Sequence, residues 1–297
     1  MSAILPGLQA FSSAFNRIAM KKLLYILAGL GLAACTSDIE ELPEVGPQPG
    51  REVALAGISG PASRTQFVPG DGTEIQFQWS TGDRIWAGGV QSAEAGTDGN
   101  VADFGFTNLP GDAPYRIYYN MTGTDAEAVV PTEQRQAEPG KLQLGPNGDF
   151  GYATTDSEGR FTLSHATAYV WFNPWSQDVK EKLVSVTLAA TDASTVLTGT
   201  RTFDGTGFSD ATDANNAVTL SFGKEGVELP ATSSTASVFA AAVVYPADCS
   251  AEEIHVTYTF ADGSVYTETK TGRNFEAGRI YRLTTEITKR DGGSLEI

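Results

Sequence analysis

Cysteine and histidine are nearly absent, with two of each in 297 residues. A disulfide framework and most zinc sites, which need several Cys or His side chains converging on one ion, are thereby excluded. Positive charge is scarce as well. Lys and Arg total 20 against 36 Asp and Glu, a formal net charge of −16, and because phosphate contact needs a basic surface, no nucleic-acid partner is expected. The uncharged run from Leu23 to Ala34 is 12 residues, short of the roughly 20 that cross a bilayer as a helix. Neither the phosphate-cradling P-loop pattern nor the HExxH of zinc proteases occurs, and no cofactor or metal is expected. What the chain does hold is 41% hydrophobic residues against 19% charged, enough to bury a core rather than stay disordered. Its length suits two domains of about 100–150 residues, and 32 Gly with abundant Thr favour strands and turns over helices.

The N-terminal region reads as an address. Met20-Lys21-Lys22, the apolar run and the small-residue exit have the layout of a secretory signal peptide. Its end, Leu32-Ala33-Ala34-Cys35, resembles the bacterial lipobox, which implies cleavage between Ala34 and Cys35 and a diacylglycerol on the Cys35 thiol. Residues 1–34 are therefore expected to be removed, with Met20 the expected true start; the loss of Arg17, Lys21 and Lys22 and of no acid takes the mature charge from −16 to −19. Acyl chains supply the membrane affinity, since a strongly acidic polypeptide repels anionic lipid. The expected membrane partner is lipid, through acylated Cys35. The cluster Thr36-Ser37-Asp38-Ile39-Glu40-Glu41 is similar to the signal that sends Bacteroidetes lipoproteins to the outer face of the outer membrane, and reads equally as a solvated linker. Leu42 to Gly50, with three Pro and two Gly, supports neither helix nor ladder. Residues 35–51 form a tether.

Beyond the tether, apolar and polar residues alternate in short runs: Val53–Leu55, Thr73–Trp79, Arg116–Tyr119 and Arg160–Leu163, then Leu183–Leu188, Ala217–Phe222, Ile254–Phe260, Val265–Thr269 and Ile280–Ile287. Period-two alternation marks half-buried strands. Turn clusters such as Pro110-Gly111-Asp112 and Pro146-Asn147-Gly148-Asp149 recur too often for long helices. Ala261-Asp262-Gly263-Ser264 between two alternating runs predicts a hairpin. Ala166–Phe172 turns apolar on both parities, as a strand covered on both faces does. The expected organisation is an N-terminal β-sandwich over 52–175, a C-terminal one over 176–290 and a polar tail over 291–297. The fold class is all-β, two tandem antiparallel sandwiches.

The lipobox and acidic tether, Ser63-Arg64-Thr65, Trp79-Ser80-Thr81-Gly82-Asp83-Arg84-Ile85, Phe161-Thr162-Leu163-Ser164-His165-Ala166 and Phe275-Glu276-Ala277-Gly278-Arg279-Ile280-Tyr281 together resemble the Bacteroidetes fimbrillin-like family. The resemblance runs from Cys35 to about Ile287. Each motif alone is weak, and the order and spacing carry it. It implies transthyretin-like sandwiches, a lipoprotein precursor and other fimbrial subunits as partners, as stalk, anchor or tip, with an adhesion role toward a host or bacterial surface. It further implies that a trypsin-like protease cuts after an arginine, removes the first strand and opens a groove for a neighbour's strand, which is β-augmentation. The candidate arginines are Arg64, whose cleavage would release the alternating Val53, Leu55 and Ile58, and Arg51, whose cleavage would release only the tether. A candidate donor is the face Tyr281, Leu283, Thr285 and Ile287 of the last strand, which reads equally as the closing strand of its own sandwich.

No catalytic residue is expected. Ser164 and His165 are adjacent on a strand and point to opposite faces, so they form no dyad. His255 alternates with Ile254 and Val256 and is expected to face solvent. Cys249, without a second partner, is a strand-end or loop thiol. The loop Asp204–Asp213 fails calcium-loop spacing. The competing function is a glycan-binding surface lipoprotein that does not polymerise. Trp79, Trp86, Trp171 and Trp175 could stack on sugars; Trp79 and Trp171 lie in apolar runs and are expected in the core, and Trp175, next to Pro174 at the domain junction, is the best exposed candidate for the sugar contact.

Overall fold

The structure, a computed structural model, describes residues 52–58, 66–69, 75–122, 126–142, 144–233 and 238–288, all within the compact unit Pro47–Ile297. Among them are 23 strand segments, one 3-10 turn and no α-helix. The alternation seen in Ile254–Phe260 becomes alternating burial, and a strand not among the expected ones shows the same pattern. Val101–Thr107 exposes every odd-numbered residue and buries Ala102, Phe104 and Phe106.

The N-terminal sandwich packs a three-stranded sheet, Arg160–Phe161, Glu52–Ile58 and Val101–Thr107, on a five-stranded one. The larger sheet runs Ser164–His165, Gly151–Thr154, Arg116–Tyr119, Ile85–Ala87 and Val90–Gln91. Between them lie Trp79, Phe104, Phe161, Leu55, Ile117 and Leu163. The C-terminal sandwich opposes Ala240–Val244, Ala168–Trp175 and Ile280–Glu286 to a five-stranded sheet of Val265–Thr271, Glu253–Phe260, Leu183–Ala190, Ala217–Ser221 and Glu133–Arg135. A further sheet joins Thr212–Asn215, Thr198–Thr202 and Glu127–Val130.

Ala168–Trp175 is buried on both faces, as its double apolar parity predicts. Ala168, Val170 and Phe172 enter the C-terminal core. Tyr169 and Trp171 enter a third core, which they share with Phe150, Phe203 and Tyr245. Trp86, Tyr118 and Tyr152, on the outer face of the large N-terminal sheet, pack on that same middle core. Three cores are thus stacked through shared sheets. The Ala240-Ala241-Ala242 run lets the two neighbouring cores approach, since no side chain there exceeds a methyl.

The chain crosses between the two sandwiches more than once. Glu127–Val130 pairs with Thr198–Thr202, and Glu133–Arg135 with Ala217–Ser221. Ala168–Trp175, which precedes the expected boundary at 175, pairs with Ala240–Val244 and Ile280–Glu286. Among the described residues three pairings are parallel: Glu52–Ile58 with Arg160–Phe161, Ala168–Trp175 with Ile280–Glu286, and Ala217–Ser221 with Glu133–Arg135. Three of the sheets are therefore mixed where the sequence pointed to antiparallel ones, because alternation is the same in both ladders, while the five-stranded N-terminal sheet is antiparallel throughout. No helix among the described residues is long and apolar enough to cross a membrane.

Candidate functional site

The first strand, Glu52–Ile58, occupies the centre of its sheet. It makes seven antiparallel residue pairs with Val101–Thr107, from Glu52 with Thr107 to Ile58 with Val101. On its other edge Ala56 and Gly57 pair in parallel with Arg160 and Phe161, and Ala56 N–H donates to Gly159 O at 3.1 Å. Val53, Leu55 and Gly57 face inward; Leu55 is 1% exposed. Gly57 lies over an aromatic floor. A Cβ at this position would stand 2.9 Å from Trp79 Cζ2, 3.0 Å from Phe161 Cζ and 3.1 Å from Phe104 Cε2, closer than carbon atoms pack. Trp79 meets the other two rings edge-on, Phe104 at 4.9 Å between centroids. The turn beside the strand needs Gly159, whose φ is +81°. A cleft of about 380 Å³ opens along the first half of the strand, lined in part by Glu52, Val53, Leu55, Tyr115 and Glu158. The outer ends of the pair are apolar and exposed: Ile58 is 41% and Val101 54% accessible.

Two other edges are closed by side chains. Ala240–Val244 ends its sheet, and two buried glutamines cover its outer edge. The Gln134 side chain donates to Val243 O at 2.7 Å and accepts from Val243 N–H at 2.9 Å. The Gln136 side chain donates to Phe239 O and accepts from Ala241 N–H. Each amide thus replaces a missing strand residue, donor for acceptor. Asn147 does the same on the far side of Glu133–Arg135, exchanging two 3.0 Å bonds with the Arg135 backbone.

The closing strand Ile280–Glu286 ends the same sheet on the opposite side. Its proposed donor face is already occupied. Leu283 and Ile287 are buried in the C-terminal core, Tyr281 packs against that core, and Thr285, 2% exposed, accepts from Tyr258 OH at 2.8 Å and donates to Glu268. Lys270 Nζ donates to Thr284 O and pairs with Glu268 at 2.6 Å. Trp175 is half-buried, and its carbonyl accepts from Ile287 N–H. The large hydrophobic side chains that stand exposed among the described residues are Ile58, Val101 and Val129, so no aromatic row of the kind that stacks on sugars is among them. Trp79 and Trp171 are core residues, 0% and 2% exposed. Ala34, Cys35, Arg51 and Arg64 lie outside the described residues.

The histidines are placed largely as expected. Ser164 is exposed and His165 buried, so they form no dyad; His255 is half-buried rather than out in solvent. His165 finds a partner that was not among the expected site residues. Asp149, from the Pro146–Asp149 turn, is wholly buried, and its Oδ1 lies 2.9 Å from His165 Nδ1, 3.0 Å from Thr167 Oγ1 and 2.6 Å from Tyr169 OH. Its Oδ2 is buried with no hydrogen-bond partner. Burial, then the Asp149 charge, raises the Tyr169 hydroxyl well above its usual range, so it remains a donor. The available signal was His165, Thr167 and Tyr169 at alternate positions, three donors on one face in need of an acceptor. Cys249 is buried, and burial, then Glu252, pushes its thiol up to about 12, which leaves no thiolate for nucleophilic chemistry at neutral pH. Asp204 spends Oδ1 on its own turn, accepting from Thr206 and Gly207, and these bonds lower its carboxyl. No group of three or more candidate metal ligands forms among the described residues.

Fold and seat together define a class: an all-β chain of stacked sandwiches whose first strand fills the middle of a sheet. Neither a family model nor a curated protein matches the chain. Among solved structures it is similar to a protein of Bacteroides ovatus assigned to cell adhesion, with TM-score 0.50 and 16% identity, covering 80% of this chain and 94% of that one. A protein of Bacteroides uniformis, likewise assigned to cell adhesion, aligns at TM-score 0.48 and 14% identity over 80% and 93% of the two chains. The tip fimbrial protein Mfa3 of Porphyromonas gingivalis aligns at TM-score 0.34 and 11% identity over 81% and 97%. At such identities it is the fold that is shared, and the first of these three carries that statement.

Proposed function

We propose that this chain is a lipid-anchored outer-membrane surface protein of the fimbrial type, a structural or accessory subunit with an adhesion role, assembling by strand addition and without catalytic activity. The observation that carries the proposal is the seat of Glu52–Ile58. This strand follows the tether directly, precedes Arg64 by a short segment, and lies between two ladder partners. Cleavage after Arg64 separates it covalently from the body, whereas cleavage after Arg51 leaves it in place. Its departure would expose two rows of backbone N–H and C=O groups and the pocket of Leu55, whose burial is worth about 1.5–3 kcal/mol. An incoming strand restores both. The fold shared with the Bacteroides ovatus adhesion-assigned protein supports the reading, as does the resemblance to fimbrillins. A donor role for Tyr281, Leu283, Thr285 and Ile287 would first have to empty the C-terminal core of Leu283 and Ile287, about 1.5–3 kcal/mol for each, so the proposal gives the closing strand a structural part.

Treating the purified protein with a trypsin-like protease tests assembly. The expected result is a cut after Arg64 and a ladder of heat-resistant oligomers, alone or with partner subunits. A complete cut with no strand uptake of any kind refutes the proposal. Radiolabelled palmitate should enter the wild-type chain and not Cys35→Ala; label in the variant would refute the anchor.

A further inference from the structure

We infer that Gly57 sets the specificity of the first-strand seat: the strand this protein accepts from a partner chain must carry two bulky aliphatic residues at alternate positions and then a glycine, in register with Val53, Leu55 and Gly57. The inference rests on the proposed strand exchange. It comes from the shape of the floor. At the Leu55 position the core leaves a pocket that an isobutyl group fills; at the Gly57 position Trp79, Phe104 and Phe161 come up to the backbone, and even a methyl would meet three rings at once, at 2.9 to 3.1 Å. Trp79 and Phe104 are 0% exposed and Phe161 3%, and they brace one another through edge-on and tilted contacts. None of the three is the loose end of a flexible side chain, so the floor does not give way without repacking. Backbone hydrogen bonds make the seat sticky for any extended chain, but this notch selects among such chains, because a wrong register places a side chain against the rings. The closing strand fails the requirement on both faces, since Ile280–Ile287 contains no glycine.

The test uses the full chain nicked by a trypsin-like protease and fluorescent synthetic peptides spanning Glu52–Arg64, with uptake followed by anisotropy. The wild-type peptide is expected to enter, a peptide with Gly57→Val to bind at least about tenfold more weakly, and one with Gly57→Ala to fall between. A peptide of Ile280–Ile287 is expected not to compete. Equal binding of the Gly57→Val and wild-type peptides overturns the inference while leaving strand exchange intact. Failure of every peptide to enter, with nicking complete and the original segment washed out in mild denaturant, overturns the exchange reading itself.

Discussion

Replacing Asp149 by Ala removes the acceptor on which three side chains converge. His165, Thr167 and Tyr169 all lie within 3.0 Å of its Oδ1, and the His165 and Asp149 side chains are both 0% exposed, so water cannot replace the lost partner without opening the core. Stranding three buried polar groups costs about 1–3 kcal/mol for each, and because they share one oxygen the total is held to about 3–5 kcal/mol. That is a large part of a typical domain's stability of roughly 5–15 kcal/mol. For a chain of this size each kcal/mol moves the midpoint by about 2–4 °C, which gives a fall of roughly 6–20 °C. Asp149→Asn keeps an acceptor oxygen but places an NH₂ group where Oδ2 has no partner, and should lose about 1–3 kcal/mol. Tyr169→Phe removes one charge-assisted bond and should cost about 1.5–3 kcal/mol. Because the three donors share one oxygen, the Asp149→Ala and Tyr169→Phe losses should not add in the double variant. Scanning calorimetry at neutral pH measures all four. An Asp149→Ala midpoint within about 2 °C of wild type, on the same scale, would show that the cluster contributes nothing and would refute the reasoning.

Gln134→Ala should strip Val243 N–H and C=O of their partners, lower stability by roughly 2–4 kcal/mol and speed exchange of the Val243 amide by more than tenfold. Lys270→Ala, which removes a partly exposed ion pair and one long bond to Thr284 O from the opposite edge, should cost under about 1 kcal/mol; hydrogen exchange and denaturant titration separate the two, and equal losses would contradict the assignment. Cys249 supplies a pH dependence. Its thiol rises from 9.0 to about 12 on folding, so between these values the unfolded chain has lost a proton that the folded chain keeps, and stability contributed by this group falls as pH rises. Below pH 9 it contributes no slope. Cys249→Ser should flatten this part of the stability profile above pH 9, and an unchanged slope would count against the shift. A thiol reagent at pH 8 should label Cys249 far more slowly in the folded than in the unfolded chain.

Much of the fold was legible in the sequence, and for a local reason. Alternation in Ile254–Phe260 records which face of a strand meets water, and that face is fixed by the two-residue repeat of the backbone wherever the strand lies. The doubly apolar Ala166–Phe172 announced a strand covered on both faces in the same way, though the strand runs on through Asn173 and Pro174 to Trp175. Parallel pairing left no such trace, because a strand buries the same residues beside either kind of neighbour. The passage of Glu127–Arg135 into sheets of the second half was equally invisible. Nothing along the chain sets Gln134 and Gln136 apart from other polar residues, yet tertiary structure lays them along the edge of Ala240–Val244, where their amides complete the ladder.

The sequence by itself determined the scarcity of cysteine, histidine and positive charge, the strand content and the inward residues of each strand, since all of these depend on composition or on neighbours along the chain. Only the tertiary structure decided the rest. It put Asp149 beside His165, gave the closing strand's apolar face to its own core, and raised three aromatic rings beneath Gly57, making one glycine the narrowest point of the first strand's seat. Those contacts join residues far apart in the chain, and what each permits depends on distances of a few tenths of an ångström in a packed interior.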